Sequence, residues 1–195
     1  MGEGRVVAPD KVGHNRVMTT ALSYDAVGQT HVADERWTSA PEGYRRHEQT
    51  TRLGDGEQLW TEASTAVMQW SVKTRSGFAV LSEPGEDLRV RQGQDRTLVA
   101  SLGLLKLWEP VTVVAIIDEP NRCGFAYGTR DGHPVSGEEA FIVHRTPDGA
   151  VWLTLRSLTR PAKGTWRFAF PAALVAQRWY RFRYARSLRT LPTPA

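Results

Sequence analysis

The sequence contains a single cysteine, Cys123, which excludes an intrachain disulfide framework and a cysteine-rich zinc module. A lone thiol suits a reducing compartment, and the expected localisation is the cytoplasm. No apolar run approaches the roughly 20 residues that a membrane-spanning helix needs. The opening stretch, MGEGRVVAPDKVGHNRV, has no apolar signal-peptide core. Acid also runs out along the chain: the last acidic residue is Asp148. Residues 151–195 hold nine basic side chains and no acid, while residues 1–150 hold 16 basic and 21 acidic ones. The net charge of +4 over 195 residues therefore hides a strongly basic C-terminal quarter on a mildly acidic body. Hydrophobic residues make up 41% of the chain, enough for a real core, and the length suits one domain.

Residues 1–20 lack hydrophobic periodicity and are expected to form a disordered arm, with an ordered domain over 21–190 and a short tail at 191–195. Order begins at Leu22, in LSYDAVGQT, where a first strand is expected; the polar stretch from Asp34 to Arg46 reads as loop. The clearest helix lies in GDGEQLWTEASTAVMQWSV. Leu59, Ala63, Val67 and Trp70 recur there at helical spacing, with Trp60 and Ala66 widening the stripe. Asp55 is the expected N-cap, with Gln58 three residues later, and the helix should end before Gly77. Beyond it lie short runs rich in Val, Ile, Leu and aromatics: Phe78 to Ser82, Leu88 to Gln92, Thr97 to Leu102, Val111 to Asp118, Gly124 to Thr129, Glu139 to Arg145 and Val151 to Thr159. Their close connections, Thr146-Pro147-Asp148-Gly149 among them, favour antiparallel pairing. A final helix should start near Pro171 and run to about Leu188. This order predicts an α+β fold in which an antiparallel sheet of six to seven strands is covered by helices.

Few positions carry an unambiguous chemical signal. Gly54-Asp55-Gly56 is half of a dinucleotide fingerprint, but Leu59 stands where the third glycine belongs and no βαβ unit follows. No HExxH or GxSxG motif occurs, and no metal or other cofactor is implied. His133, Glu138, Glu139 and His144 would meet a metal only if their loop folded back. Cys123 has Arg122 beside it, which would lower a thiol pKa, yet a cysteine at a strand start is more often a small core residue.

The richest segment is GFAYGTRDGHPVSGEEAFIV, Gly124 to Val143. Phe125 and Tyr127 alternate with Gly124, Ala126 and Gly128, so one sheet face carries aromatics and the other almost no side chain. Consecutive Glu138 and Glu139 should point to opposite faces, with one turned inward and held by Arg130, Arg156 or Tyr127. In the last helix Val175, Trp179 and Phe182 form one stripe and Tyr180, Tyr184 and Leu188 another. Its arginines are spread around the axis. They either cover apolar surface and pair with acids of the body, or bind nucleic acid or an anionic surface.

Taken in order, LSYDAVGQT, RLGDGEQLW, VVAIIDEPNRCGFAYGT, GHPVSGEEAF and VWLTLRSLTRPA resemble a family of uncharacterised bacterial and plant proteins, the domain of unknown function nineteen-ninety. The resemblance runs from about Leu22 to Leu188; Leu104 to Trp108 depart from it by being more apolar. That family is grouped with the START-like, birch-pollen-allergen-like superfamily. The resemblance therefore implies a helix-grip fold, with a curved sheet wrapped around a long C-terminal helix. It also implies a cavity for a hydrophobic small molecule or lipid, or, on the same scaffold, an enzyme of cyclase, hydrolase or dehydratase type. It brings no catalytic residues with it. The expected cavity wall is Trp70, Phe125, Phe141, Trp152, Trp179 and Phe182, and the expected polar anchors are Tyr127, Arg130, His133, Glu138 and Glu139. Nucleic acid is the disfavoured partner, since no nucleic-acid-binding signature accompanies the arginines.

Overall fold

The computed structural model describes residues 21–102 and 105–189. The expected arm, residues 1–20, and tail, residues 191–195, lie outside the described residues. Among the described residues, seven strands form one antiparallel sheet: β1 (Arg45–Asp55), β2 (Phe78–Leu81), β3 (Asp95–Leu102), β4 (Leu105–Glu119), β5 (Arg122–Thr129), β6 (Val135–Arg145) and β7 (Ala150–Pro161). Their spatial order is β1-β7-β6-β5-β4-β3-β2. Two helices, α1 (Glu57–Met68) and α2 (Ser71–Thr74), fill the connection from β1 to β2, and α3 (Phe170–Ser187) follows a 3₁₀ turn at Gly164–Ala169. This is the helix-grip arrangement. No helix among the described residues is long and apolar enough to cross a membrane.

Several elements differ from the sequence reading. The first strand is not LSYDAVGQT, which forms turns and one isolated bridge, Leu22 to Arg130. It is RRHEQTTRLGD, where only Thr51 is buried. An edge strand is polar on both faces, so it lacks the apolar alternation by which strands are found. Leu88 to Gln92 form no strand; Val90 is buried but donates its N–H to the Met68 carbonyl (2.9 Å) at the end of α1. Asp55 does not cap α1. It belongs to β1 and pairs with Arg52 (2.6 Å), and Gly56 takes the capping position with φ 99°. The helix also breaks early. Trp70 adopts a left-handed conformation (φ 60°), which starts α2 as a separate turn.

The inner face of the sheet buries Val113, Phe125, Tyr127, Phe141, Val143, Leu153 and Leu155 against Trp60, Val67, Trp70, Tyr180 and Tyr184 of the helices. Cys123 belongs to this core, where burial and then the Asp118 carboxylate push its thiol up to about 12, so it is an inert core residue. Arg122 points the other way, donating to the carbonyls of Val32 (2.6 Å) and Asp34 (2.8 Å), and does not activate it.

The outer face is closed by the segment around Tyr24 to Trp37. Alternation leaves Gly128 bare on this side, and the Tyr24 ring and hydroxyl lie where a Cβ would stand. Val32 packs on Ala126, Ala140 and Ile142. Glu138 holds the segment by its donors, accepting from Tyr24 Oη (2.8 Å), the Gly28 amide (2.7 Å), the Thr30 amide (3.0 Å) and the Thr30 hydroxyl. Arg156 holds it by its acceptors, donating to the carbonyls of Thr30, His31, Asp34 and Glu35 while pairing with Glu48 (2.9 Å). A buried carboxylate with four donors is worth more than its neutral analogue. Glu138→Gln is therefore expected to lower unfolding stability by about 1–3 kcal/mol, read from urea denaturation.

Candidate functional site

Between the sheet and the N-terminal half of α3 lies a cavity of about 240 Å³. Its origin is local. The C-terminal half of α3 packs closely through Tyr180 on Phe78 (ring centroids 4.5 Å apart) and Tyr184 on Phe141 (5.2 Å). The N-terminal half presents Ala172, Ala173 and Ala176, which are too short to reach the sheet. Phe78, Leu107, Pro134 and Val135 complete an apolar wall, and Ser157, Thr159 and Gln177 edge it.

The floor is polar and tightly paired. Lys73, only 2% exposed, sends its ammonium to Glu139 Oε2 (2.9 Å) and donates to Tyr184 Oη (2.7 Å). The ring of Phe78 lies 4.2 Å from that ammonium, and those of Tyr127 and Tyr184 about as close (5.0 and 4.9 Å), so aromatic faces replace part of its hydration. The Tyr127 hydroxyl donates to the same Glu139 oxygen. Burial, then the negative charge of Glu139, raise the Tyr127 and Tyr184 pKa values well above 10.0. Along the wall, His133 Nε2 stands 3.6 Å from Glu109 Oε2. Burial pushes the Glu109 carboxyl up, but His133 and, further off, Lys73 outweigh it and hold the carboxyl below its ordinary value.

Of the expected anchors, the structure brings Tyr127, His133 and Glu139 to the cavity. Glu138 touches the wall, but its carboxylate points to the outer face, where it holds the Tyr24–Thr30 segment. Alternation along β6 sends His144 outward as well, so the two cannot meet His133 on a metal. Arg130 pairs with Asp95 (2.7 Å) and does not line the cavity. The expected aromatic wall needs more correction. Trp70, Phe125 and Phe141 are packed core residues beside the cavity. Trp152 alternates with Val151 and Leu153 and so faces outward, opposite Arg52 and His144 in register. Trp179 and Phe182 are exposed (48% and 58%) because α3 turns its tyrosine stripe inward instead. Both stripes have helical spacing, and spacing alone does not choose between them. The choice follows from Tyr184 reaching Lys73 and Tyr180 stacking on Phe78.

Lys73, Glu109, Gln177, Tyr180 and Tyr184 were not anticipated as site residues. Lys73 had a legible signal: it stands three residues after Trp70 and six after Val67, where the buried stripe of the helix region continues. Glu109 had none, since it lies in a stretch whose neighbours Trp108 and Lys106 alternate outward.

An antiparallel sheet gripping a terminal helix, with a largely apolar cavity between them, defines a helix-grip protein. The chain belongs to the family described as Domain of unknown function (DUF1990), whose model matches residues 23–187. It is 35% identical over 163 residues to a UPF0548 protein of Deinococcus radiodurans, covering 76% of this chain and 78% of that protein. Among solved structures, hypothetical protein jhp0584 from Helicobacter pylori shares the fold at a TM-score of 0.50, with 8% identity, over 75% of this chain and 88% of that one. Major latex-like protein 151 of Panax ginseng matches at a TM-score of 0.48 and 14% identity, over 78% of this chain and 99% of that one.

Two outcomes follow from the buried network. Lys73→Met leaves the Glu139 carboxylate buried without its cation and should cost about 3–5 kcal/mol. Lys73→Met with Glu139→Gln should recover a substantial part of that loss in the same denaturation assay. All five tyrosines, Tyr24, Tyr44, Tyr127, Tyr180 and Tyr184, have pKa values raised first by burial. A raised folded-state pKa gives stability that is complete below the unfolded value, 10.0, and is lost as pH climbs toward the folded one. Spectrophotometric titration should therefore show little tyrosinate at pH 10 while the protein is folded, with ionisation appearing together with unfolding at higher pH. The Tyr127→Phe/Tyr184→Phe variant should lose part of that alkaline slope.

Proposed function

We propose that this protein binds a small, mostly apolar molecule, a hydrophobic metabolite or lipid, in the cavity between the sheet and α3. The observation that carries this reading is the alanine-lined gap of about 240 Å³ above a charged, fully paired floor. Drug-sized pockets run to roughly 300–1,000 Å³, so the occupant is compact or enters as α3 moves outward.

The wall also offers unspent hydrogen-bonding capacity. Among the described residues, the Tyr180 hydroxyl and Gln177 Oε1 are buried and have no hydrogen-bond partner, and both residues line the cavity. Buried polar atoms are normally satisfied, so a ligand bearing one hydroxyl or carbonyl group beside an apolar body suits the space.

Acid–base catalysis draws less support from the geometry. The Glu139 carboxylate is taken by Lys73 and Tyr127, and that of Glu138 lies on the other face. The His133–Glu109 pair is what remains facing the cavity for a reaction of cyclase, hydrolase or dehydratase type.

Native mass spectrometry of freshly purified protein tests the binding reading. The wild type should carry a small-molecule mass that Ala176→Trp, which fills the gap, does not carry at equal thermal stability. Bare masses from both proteins, together with no saturable uptake of an apolar probe by the wild type, would contradict it.

A further inference from the structure

The outer side of α3 has a chemistry of its own. Among the described residues, seven large hydrophobic side chains are exposed, and four of them lie between residues 168 and 182: Phe168 (73%), Val175 (69%), Trp179 (48%) and Phe182 (58%). The last three follow each other at intervals of four and three residues and so form one stripe along the helix. A concentration of this kind on one surface marks an interaction site rather than scattered exposure.

Each exposed aromatic between residues 168 and 182 is accompanied by an arginine. Arg167 lies 4.6 Å from the Phe168 ring, Arg183 lies 4.7 Å from Trp179, and Arg186 lies 4.7 Å from Phe182. Beside the stripe, a shallow groove between β1 and α3 is lined by Arg45, His47, Arg178 and Arg181. No acid occurs in α3 or anywhere from residue 151 to 195.

We infer that this face docks on an anionic lipid bilayer. Exposed Trp and Phe suit the boundary between headgroups and acyl chains, and arginine stems carry their heads from there to lipid phosphates. The charge is complementary to an anionic leaflet, whose negative surface potential attracts basic residues held close to it. It is not complementary to a second copy of the same face, which would set arginine against arginine. Duplex nucleic acid would match the charge but leave the apolar stripe in water. The inference stands apart from the ligand-binding reading, because Val175, Trp179 and Phe182 do not line the cavity. It also has a consequence for access to that cavity. The inward side of the same helix carries Ala173 and Ala176, so docking sets the cavity wall against the bilayer, where apolar molecules are concentrated.

Cosedimentation with vesicles tests this, comparing phosphatidylcholine alone with phosphatidylcholine containing one-third phosphatidylglycerol, at low and high salt. Wild type should sediment with the anionic vesicles, much less with the neutral ones, and several-fold less as salt is raised. Trp179→Ser/Phe182→Ser and Arg183→Gln/Arg186→Gln should each weaken partitioning about tenfold or more. Trp179, Phe182 and Arg186 are exposed and Arg183 is half-buried, with no acid paired to either arginine among the described residues, so both variants should keep the wild-type unfolding temperature, and Ala176→Trp should bind vesicles as wild type does. Three results would overturn the inference: no sedimentation with anionic vesicles, binding indifferent to both double variants, or tighter binding to duplex DNA that the same variants abolish.

Discussion

The Lys73 ammonium is buried at the floor of the cavity, beside the Glu139 carboxylate. Withdrawing such an ion from water costs several kcal/mol, and partners must offset this by close approach. Glu139 supplies the counter-charge, Tyr184 accepts a hydrogen bond, and the faces of Phe78, Tyr127 and Tyr184 surround it. These groups come from α2, β6, α3, β2 and β5. Satisfying one cation therefore fixes where the terminal helix meets the sheet. It pins the C-terminal half of α3 at Tyr184. The alanines of the N-terminal half then stand over a gap that they cannot fill, and the cavity follows from where the helix is held.

The two faces of the sheet are served by neighbouring residues. Glu139 turns inward to Lys73, and Glu138 turns outward to four donors of the Tyr24–Thr30 segment. Strand alternation makes this division automatic. The outer face is sealed by the buried Arg156 and Glu138, with the bare glycine surface of β5 admitting Tyr24 at close range. The polar residues of the richest segment thus divide between closing the back of the sheet and furnishing the front with a charged floor. The glycine-rich face that the pattern marked as a place of close approach receives the protein's own N-terminal segment.

Much of the architecture was legible because it rests on periodicity. The strands from Val111 to Thr159, the long terminal helix and the antiparallel order all leave a period of two or a helical repeat in the sequence. The misses share a physical cause. The edge strand Arg45–Asp55 buries little on either face, so it has no pattern, and Trp70 breaks the helix region through a backbone angle that composition does not reveal. The wall of the site is not legible at α3, where two aromatic stripes of helical spacing compete on one helix. Trp179 and Phe182 are the more apolar pair, but the Tyr184 hydroxyl accepts from the buried Lys73 and brings the tyrosine stripe inward. Lys73 itself was readable as a charge on the buried stripe, and only the fold shows the carboxylate that answers it. The opening asymmetry of charge resolves in the same way. Arg156 is consumed by the outer segment and Arg181 turns to Ser157, whereas Arg183 and Arg186 of α3 lie over their own aromatics on the outer side of the helix.

The cavity, the pinned half of α3 and the charged floor form one mechanical unit. A two-dimensional NMR titration of nitrogen-labelled protein with 1-naphthol, a compact apolar alcohol, reports on that unit residue by residue. Saturable shifts at Gly137, Ser157, Thr159, Ala176 and Tyr180, with Val175, Trp179 and Phe182 unmoved, are the predicted result. An unchanged spectrum, or shifts confined to the exposed stripe of α3, would contradict a ligand site between sheet and helix.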